Sequence, residues 1–356
     1  MDSSITWLPI NVIERIIKEV LAGLNPREEG RRTSANLRGA CRLLRDAFDG
    51  SNESLDLRSK QQQDFPTACG PPFAPSMLLA RSVNLSSISI HGPLPGGEAS
   101  SMAVFNLIAG LALLNRLKFE GTCLGHRACA ALGNVLSRDR PTCLSLELGR
   151  HSVGEHEANI LFLSIGDSPC LRRLDVLESA IDISAWRTLG AALQINTSIR
   201  QLCINSASFR NTGALALAAA LAVNTNLEHL DLSECWISQS GIAAIGSALS
   251  RSRGLRSLSL AKNLASYEGG AQLAEALKSS FNLTSLDMSG CALSGGDGYE
   301  LCKALGANTR IKTLRLRDNR IAPSNLRDAL EENRSLTHLD IGRNRVSPTV
   351  RCFITQ

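Results

Sequence analysis

Apolar positions along the chain recur in one arrangement, apolar-x-x-apolar-x-apolar, ten times over. Leu227, Leu230 and Leu232 form one set, followed by Leu255, Leu258, Leu260, then Leu283, Leu286, Met288, and Ile311, Leu314, Leu316. Toward the N-terminus stand Ile199, Leu202, Ile204, then Leu171, Leu174, Val176, Cys143, Leu146, Leu148, Leu114, Leu117, Phe119, and Leu85, Ile88, Ile90; Leu336, Leu339, Ile341 close the series. Starts from residue 143 to 311 lie 28 residues apart, the two earlier intervals are 29 and the last is 25. Within a set, alternate residues point to opposite faces, which predicts a short strand with its apolar residues turned inward.

The remainder of each period predicts a turn and a helix. Three residues past each strand comes a ladder position held by Asn263, Asn319 and Asn344 or by Cys235 and Cys291, whose side chains can serve backbone groups left unpaired where the chain turns. Ala207 and His151 at this position predict two less well satisfied turns. Helical spacing follows in Leu217 and Leu221, Ile245 and Leu249, Leu273 and Leu277, Leu301 and Leu305. Small residues beside them, such as Gly190 and Gly246, are expected to allow close helix–strand approach. Asn196, Asn224 and Asn308 fall near helix ends, where Asn tolerates a left-handed cap.

One strand–helix unit cannot bury its apolar side alone, whereas stacked units share a continuous core. Strands pair at about 4.8 Å and helices pack at roughly 8–10 Å, so the stack must curve with its sheet inside. The unit resembles the leucine-rich repeat, of the long ribonuclease-inhibitor-like class, over about residues 83–346. The resemblance implies an α/β solenoid: a curved horseshoe with a concave parallel sheet, convex helices and a short helical N-terminal segment. Leucine-rich repeats bind proteins on the concave side. Outward strand positions there are Arg116, Lys118, Glu147, Arg173, Asp175, Asn205, His229, Asp231, Asp287, Arg315, Arg317, His338 and Asp340. The Asp series is also part of the repeat's common LDLS pattern. Trp236, at a strand exit, reads as a packed loop anchor.

Residues 1–50 do not follow the period. Leu8 and Pro9 open a helical stretch with Val12, Ile13, Ile16 and Ile17 apolar, and a second stretch after a basic loop aligns Leu37, Cys41, Leu44 and Phe48. The order, with Leu8-Pro9, VIERI and Cys41-Arg42, resembles an F-box, although Leu44 stands where F-boxes usually carry Trp. The resemblance implies that Leu8, Pro9, Val12, Ile13, Ile16, Ile17, Leu37, Cys41 and Leu44 dock an SCF ubiquitin ligase adaptor. The alternative is a cap over the first apolar edge of the solenoid. Residues 51–82 read as a degenerate first strand around Leu55 and Leu57 and a Pro-rich connection, and 83–356 as the repeat domain. At the C-terminus, 15 residues after Ile341 leave no room for a helical cap, so that edge is expected to be weakly protected.

Composition adjusts this reading. Aromatic residues make up only 4% of the chain, which predicts an aliphatic core, and a net charge of +5 does not demand nucleic acid or an anionic membrane. The outward strand positions carry both signs and no aromatics, unlike a nucleic-acid surface. Eleven single cysteines without a CxxC pair, behind an N-terminus with no secretory pattern, read as reduced thiols in the cytoplasm or nucleus. The GALALA stretch (213–218) fits a signature of F-box/leucine-rich repeat effectors of plant-pathogenic bacteria; in that case the chain would act in the host cytoplasm.

Chemistry is sparse. Cys123, His126 and Cys129 suggest a zinc cluster, but no fourth ligand lies near in sequence and Cys129 falls on a helix. No nucleophile–base constellation can be assembled. Long leucine-rich repeats also occur in Ran GTPase-activating proteins, but those usually end in an acidic tail and this chain ends VSPTVRCFITQ. The expectation is a monomeric, non-catalytic binding protein without cofactor or metal. It would hold an SCF adaptor and a substrate protein, or serve as a plain scaffold, and bind neither nucleic acid nor membrane.

Overall fold

The computed structural model describes residues 54–58, 86–92, 105, 108, 114–137, 144–150, 153–178, 181–206, 208–280 and 282–344. The F-box-like residues, the Pro-rich connection and the ladder positions His151 and Ala207 lie outside them. Eleven strands form one parallel sheet in strict chain order. They are β1 (Ser54–Arg58), β2 (Ser87–His91), β3 (Arg116–Glu120), β4 (Ser145–Leu148), β5 (Arg173–Leu177), β6 (Gln201–Asn205), β7 (His229–Asp231), β8 (Ser257–Ser259), β9 (Ser285–Asp287), β10 (Thr313–Arg315) and β11 (His338–Asp340). Eight described helices alternate with them from β3 onward: α1 (His126–Leu136), α2 (Glu155–Gly166), α3 (Ile183–Ile195), α4 (Arg210–Leu221), α5 (Gln239–Leu249), α6 (Ser266–Ser279), α7 (Gly295–Ala307) and α8 (Pro323–Glu332).

The register follows the apolar period. Leu202, Leu230, Leu258, Leu286 and Leu314 stand opposite one another from β6 to β10, and each is almost fully buried. The core is not purely aliphatic: Phe162, Trp186 and Phe209 stack across successive repeats with ring centroids 6.0 and 5.1 Å apart. The Trp186 indole stays satisfied because its Nε1 donates to Ser208 Oγ at 3.3 Å. Glycine has a different use from the one expected. A Cβ on Gly190 would meet the Ala216 main chain of α4 at 2.8 Å, and one on Gly246 would meet Leu273 Cα of α6 at 3.1 Å. These glycines therefore bring helix against helix, not helix against strand.

The strand-exit ladder comes in two forms. Asn263 Nδ2 donates to the Leu232 and Leu260 carbonyls at 2.7 and 2.9 Å, and its Oδ1 accepts the Ile237 N–H at 2.9 Å. Asn319 repeats this one turn of the alternation later, between Met288, Leu316 and Leu293. In the intervening turns Cys235 and Cys291 donate Sγ–H to the Ile204 and Leu260 carbonyls at 3.0 and 3.1 Å. Burial pushes both thiols up to about 12, which keeps the donated proton in place. A thiol cannot return the acceptor an amide supplies, and the chain compensates: the residue after each Cys, Trp236 (φ 55) or Ala292 (φ 58), turns left-handed, whereas Leu264 after Asn263 and Arg320 after Asn319 do not.

A second ladder runs along the helix ends, and it corrects the left-handed caps expected there. Asn196 is extended (φ −68, ψ 131), and neither it nor Asn224 nor Asn308 has positive φ. Each instead spans two repeats with its side chain. Asn224 Nδ2 donates to Leu193 and Asn196 carbonyls of the preceding repeat, while Oδ1 accepts the Asn226 and Leu227 N–H groups that lead into the next strand. Asn196, Asn308 and Asn333 do the same. The period places Ser252 and Ser280 at this position in the two repeats between, and the Ser252 hydroxyl is buried without a partner among the described residues. Ser252→Asn should therefore extend the ladder and raise stability by about 1 kcal/mol. A denaturation midpoint below that of the parent would show that the site cannot hold the amide.

Candidate interaction face

A strand of this period turns alternate side chains away from the core, and parallel pairing lines those side chains up across repeats. Three columns result. The first holds Arg116, Ser145, Arg173, Gln201, His229, Ser257, Ser285, Thr313 and His338. In the second stand Lys118, Glu147, Asp175, Cys203, Asp231, Ser259, Asp287, Arg315 and Asp340. The third, at the strand exits, includes Asn205, Ser233, Ser289 and Arg317. Here the closely spaced strands and the widely spaced helices make the sheet the inner side of the curve.

A family profile described as Leucine Rich repeat matches residues 223–246, 279–302 and 332–349. The matched segments carry the strand and turn just described, repeated around one continuous sheet. The fold is that of a leucine-rich repeat solenoid. No curated protein sequence matches it. Among solved structures, the Rad7 and Elc1 complex in yeast is similar at 14% identity, covering 98% of this chain and 96% of that one, with a TM-score of 0.39. A TLR13–ssRNA13 complex covers 84% of this chain and 40% of that one at 17% identity and TM-score 0.46. Leiomodin-1 actin-binding site 2 covers 49% and 88% at 18% identity and TM-score 0.32. Likenesses this shallow say nothing about a partner.

The solenoid's inner face is divided by charge. In repeats β3 to β5 the charges cancel among themselves. Glu147 is only 7% exposed and takes Arg116 Nη2 at 3.0 Å and Lys118 Nζ at 2.7 Å. Burial pushes its carboxyl up, but the two cations outweigh burial and hold it below the ordinary carboxylate range. Asp175, 4% exposed, is bound by Arg173 Nε at 2.8 Å, and here burial outweighs the partner and raises the carboxyl. Both acids lie among the outward positions, yet their side chains fold down onto neighbours and offer little to a partner.

The Asp residues of the LDLS pattern serve the turns. Asp231 and Asp287 each accept, through Oδ1, the N–H of the serine two residues on, and Asp340 accepts that of Gly342. Between and beside them Ser257, Ser259, Ser285, Ser289 and Thr313 make a low neutral floor across β8 to β10. At its C-terminal side stand Arg315 and Arg317, about half exposed, with Arg315 Nη1 at 4.0 Å from Asp287 and Arg317 Nε at 3.4 Å from Asp318. His229 and His338 are exposed on the first column, and Asn205 is half-buried at an exit.

Trp236 is 67% exposed, so it is not the packed anchor the sequence suggested. The indole stands out over the strand-exit rim, and so does Leu264 one repeat on, whose φ is not positive. The exposure therefore belongs to the position after the ladder residue, whichever way that residue turns. Ion pairs line the same rim: Arg150–Glu178, Lys262–Glu234 and Arg343–Asp318.

Among the described residues no three His, Cys, Asp or Glu side chains gather to hold a metal ion. In the Cys123-His126-Cys129 stretch, the Cys129 thiol is buried and pushed up to about 12, far from the thiolate a metal needs. Among the same residues no helix is long and apolar enough to cross a membrane.

Proposed function

We propose that this solenoid is the substrate receptor of an SCF-type ubiquitin ligase: residues 1–50 dock the adaptor and the inner face holds the protein to be modified. The observation that carries the binding half is the Ser and Thr floor of β8 to β10. Its side chains are short, which leaves room for a partner main chain, and it is bordered by Arg315 and Arg317, a cationic pair suited to a carboxylate-bearing segment. The ligase half rests on the F-box-like order of Leu8, Pro9, Val12, Ile13, Ile16, Ile17, Leu37, Cys41 and Leu44. On this reading the chain catalyses nothing itself and works inside cells.

Two measurements separate the halves. Purified chain should bind an SCF adaptor in calorimetry, and Leu8→Asp with Ile16→Asp should reduce that binding at least tenfold. A well-folded parent that does not bind reduces residues 1–50 to a cap and leaves a scaffold. Arg315→Glu with Arg317→Glu should leave the melting temperature unchanged, because both side chains are exposed. The same pair should deplete the proteins that co-purify with the parent while adaptor binding persists. An undiminished set would move the substrate site off this part of the face.

A further inference from the structure

The sheet ends at β11, whose one neighbour among the described residues is β10. One repeat earlier Ile311 and Leu314 are fully buried, but Leu336 and Leu339 are only partly covered. With Leu326, Leu330 and Ala329 they line an open apolar notch at the end of the solenoid. Among the described residues the backbone is equally open. His338 N–H bonds back to the Lys312 carbonyl, and the Asp340 carbonyl accepts Leu316 N–H, so strand alternation directs the N–H and C=O of Leu339 at the free edge.

We propose that this end is covered by the same end of a second copy of the chain, with the two β11 strands antiparallel about a twofold axis through Leu339. The choice of occupant comes from the charge order along the edge. A twofold axis across paired edges makes the strands antiparallel and sets each residue against its mirror position. Leu339 then faces the partner's Leu339, and the two exchange both main-chain hydrogen bonds. On the inner face, His338 stands opposite the partner subunit's Asp340, and the pair occurs twice. Asp340 spends Oδ1 on Gly342 N–H, which leaves Oδ2 for the imidazole. His-Leu-Asp is thus self-complementary when reversed. The Thr-Leu-Arg of β10 would not be, since reversal sets Thr313 against Arg315. On the core side the two notches close on each other, and Leu336 and Leu339 gain the cover their counterparts have inside the stack. This end-to-end pair replaces the monomer expected from the sequence. It leaves both inner faces open on the same side, and so presents two substrate surfaces at once.

Sedimentation equilibrium of the full chain over a wide concentration range tests it. The parent should show a reversible monomer–dimer equilibrium. His338→Asp, which sets Asp against Asp in both pairs, should weaken it at least tenfold, while His338→Lys should preserve it. Residue 338 is exposed, so all three proteins should melt alike. A parent that stays monomeric throughout overturns the proposal and leaves the edge to residues 345–356 or to another protein. A dimer indifferent to His338→Asp overturns it too, by placing the contact elsewhere.

Discussion

Leu258→Asp is expected to abolish the cooperative unfolding transition. Leu258 is 1% exposed and sits in register between Leu230 and Leu286, inside the continuous row of the core. Removing the leucine forfeits roughly 2–3 kcal/mol of apolar burial, and a carboxylate in its place either ionises unpaired or takes up a proton, at a further cost of several kcal/mol. The sum matches the ~5–15 kcal/mol that holds an ordinary domain together. In a stack, moreover, each repeat is supported only by its neighbours. Ser257→Asp, one residue away on the inner face, should change stability by less than about 0.5 kcal/mol. Circular dichroism melts of the two variants decide the matter. Near-parental melting of Leu258→Asp would mean the strand register is slipped by one residue, since such a slip exchanges the faces.

Asn263→Ala is the second large effect. It removes the side chain that pairs the Leu232 carbonyl and the Ile237 N–H in the buried strand exit, whereas the Leu260 carbonyl keeps the Cys291 thiol. Each of the two groups left unpaired costs about 1–3 kcal/mol, so a loss of about 3 kcal/mol is expected, read as a lower denaturation midpoint at unchanged slope. Asn263→Cys should recover little. A thiol serves this position only when the following residue turns left-handed, as Trp236 and Ala292 do, and Leu264 does not. Asn282→Ala, which removes a single solvent-exposed hydrogen bond to the Arg253 carbonyl, is the matched control. A loss below about 0.5 kcal/mol at Asn263 would mean that water satisfies the turn.

The repeating core was legible because a period of 28 residues leaves only one set of side chains able to face inward in every turn. The Asn and Cys ladder was legible for the same reason: its offset from the strand is constant. What escaped lies one level further from the backbone. Glu147 and Asp175 occupy outward positions, and no pattern of polar and apolar residues reveals that their carboxylates lie down against Lys118, Arg116 and Arg173. Trp236 was misplaced because the position after the ladder residue faces solvent in either form of the turn, as Leu264 does one repeat on. Asn196, Asn224 and Asn308 sat at helix ends, where a local cap and a bridge between repeats call for the same residue, and only the lack of a positive φ tells them apart. The partner of the inner face escaped most fully, since Asp231, Asp287 and Asp340 satisfy the fold's own turns before they can inform on anything bound.

At Ser252 and Ser280 the chain changes the means by which neighbouring repeats are held. The strand-side links are complete there, through Asn263 and Cys291, while on the helix side the Asn position of the ladder lapses between Asn224 and Asn308. In its place Asn282 Nδ2 donates to the Arg253 carbonyl at 2.6 Å, and Gly246 lets α5 approach the Leu273 main chain of α6. Cohesion along the outer rim thus passes from ladder amides to helices packed backbone-close, so a side chain added at residue 246 would prise apart the very repeats that lack the ladder amide.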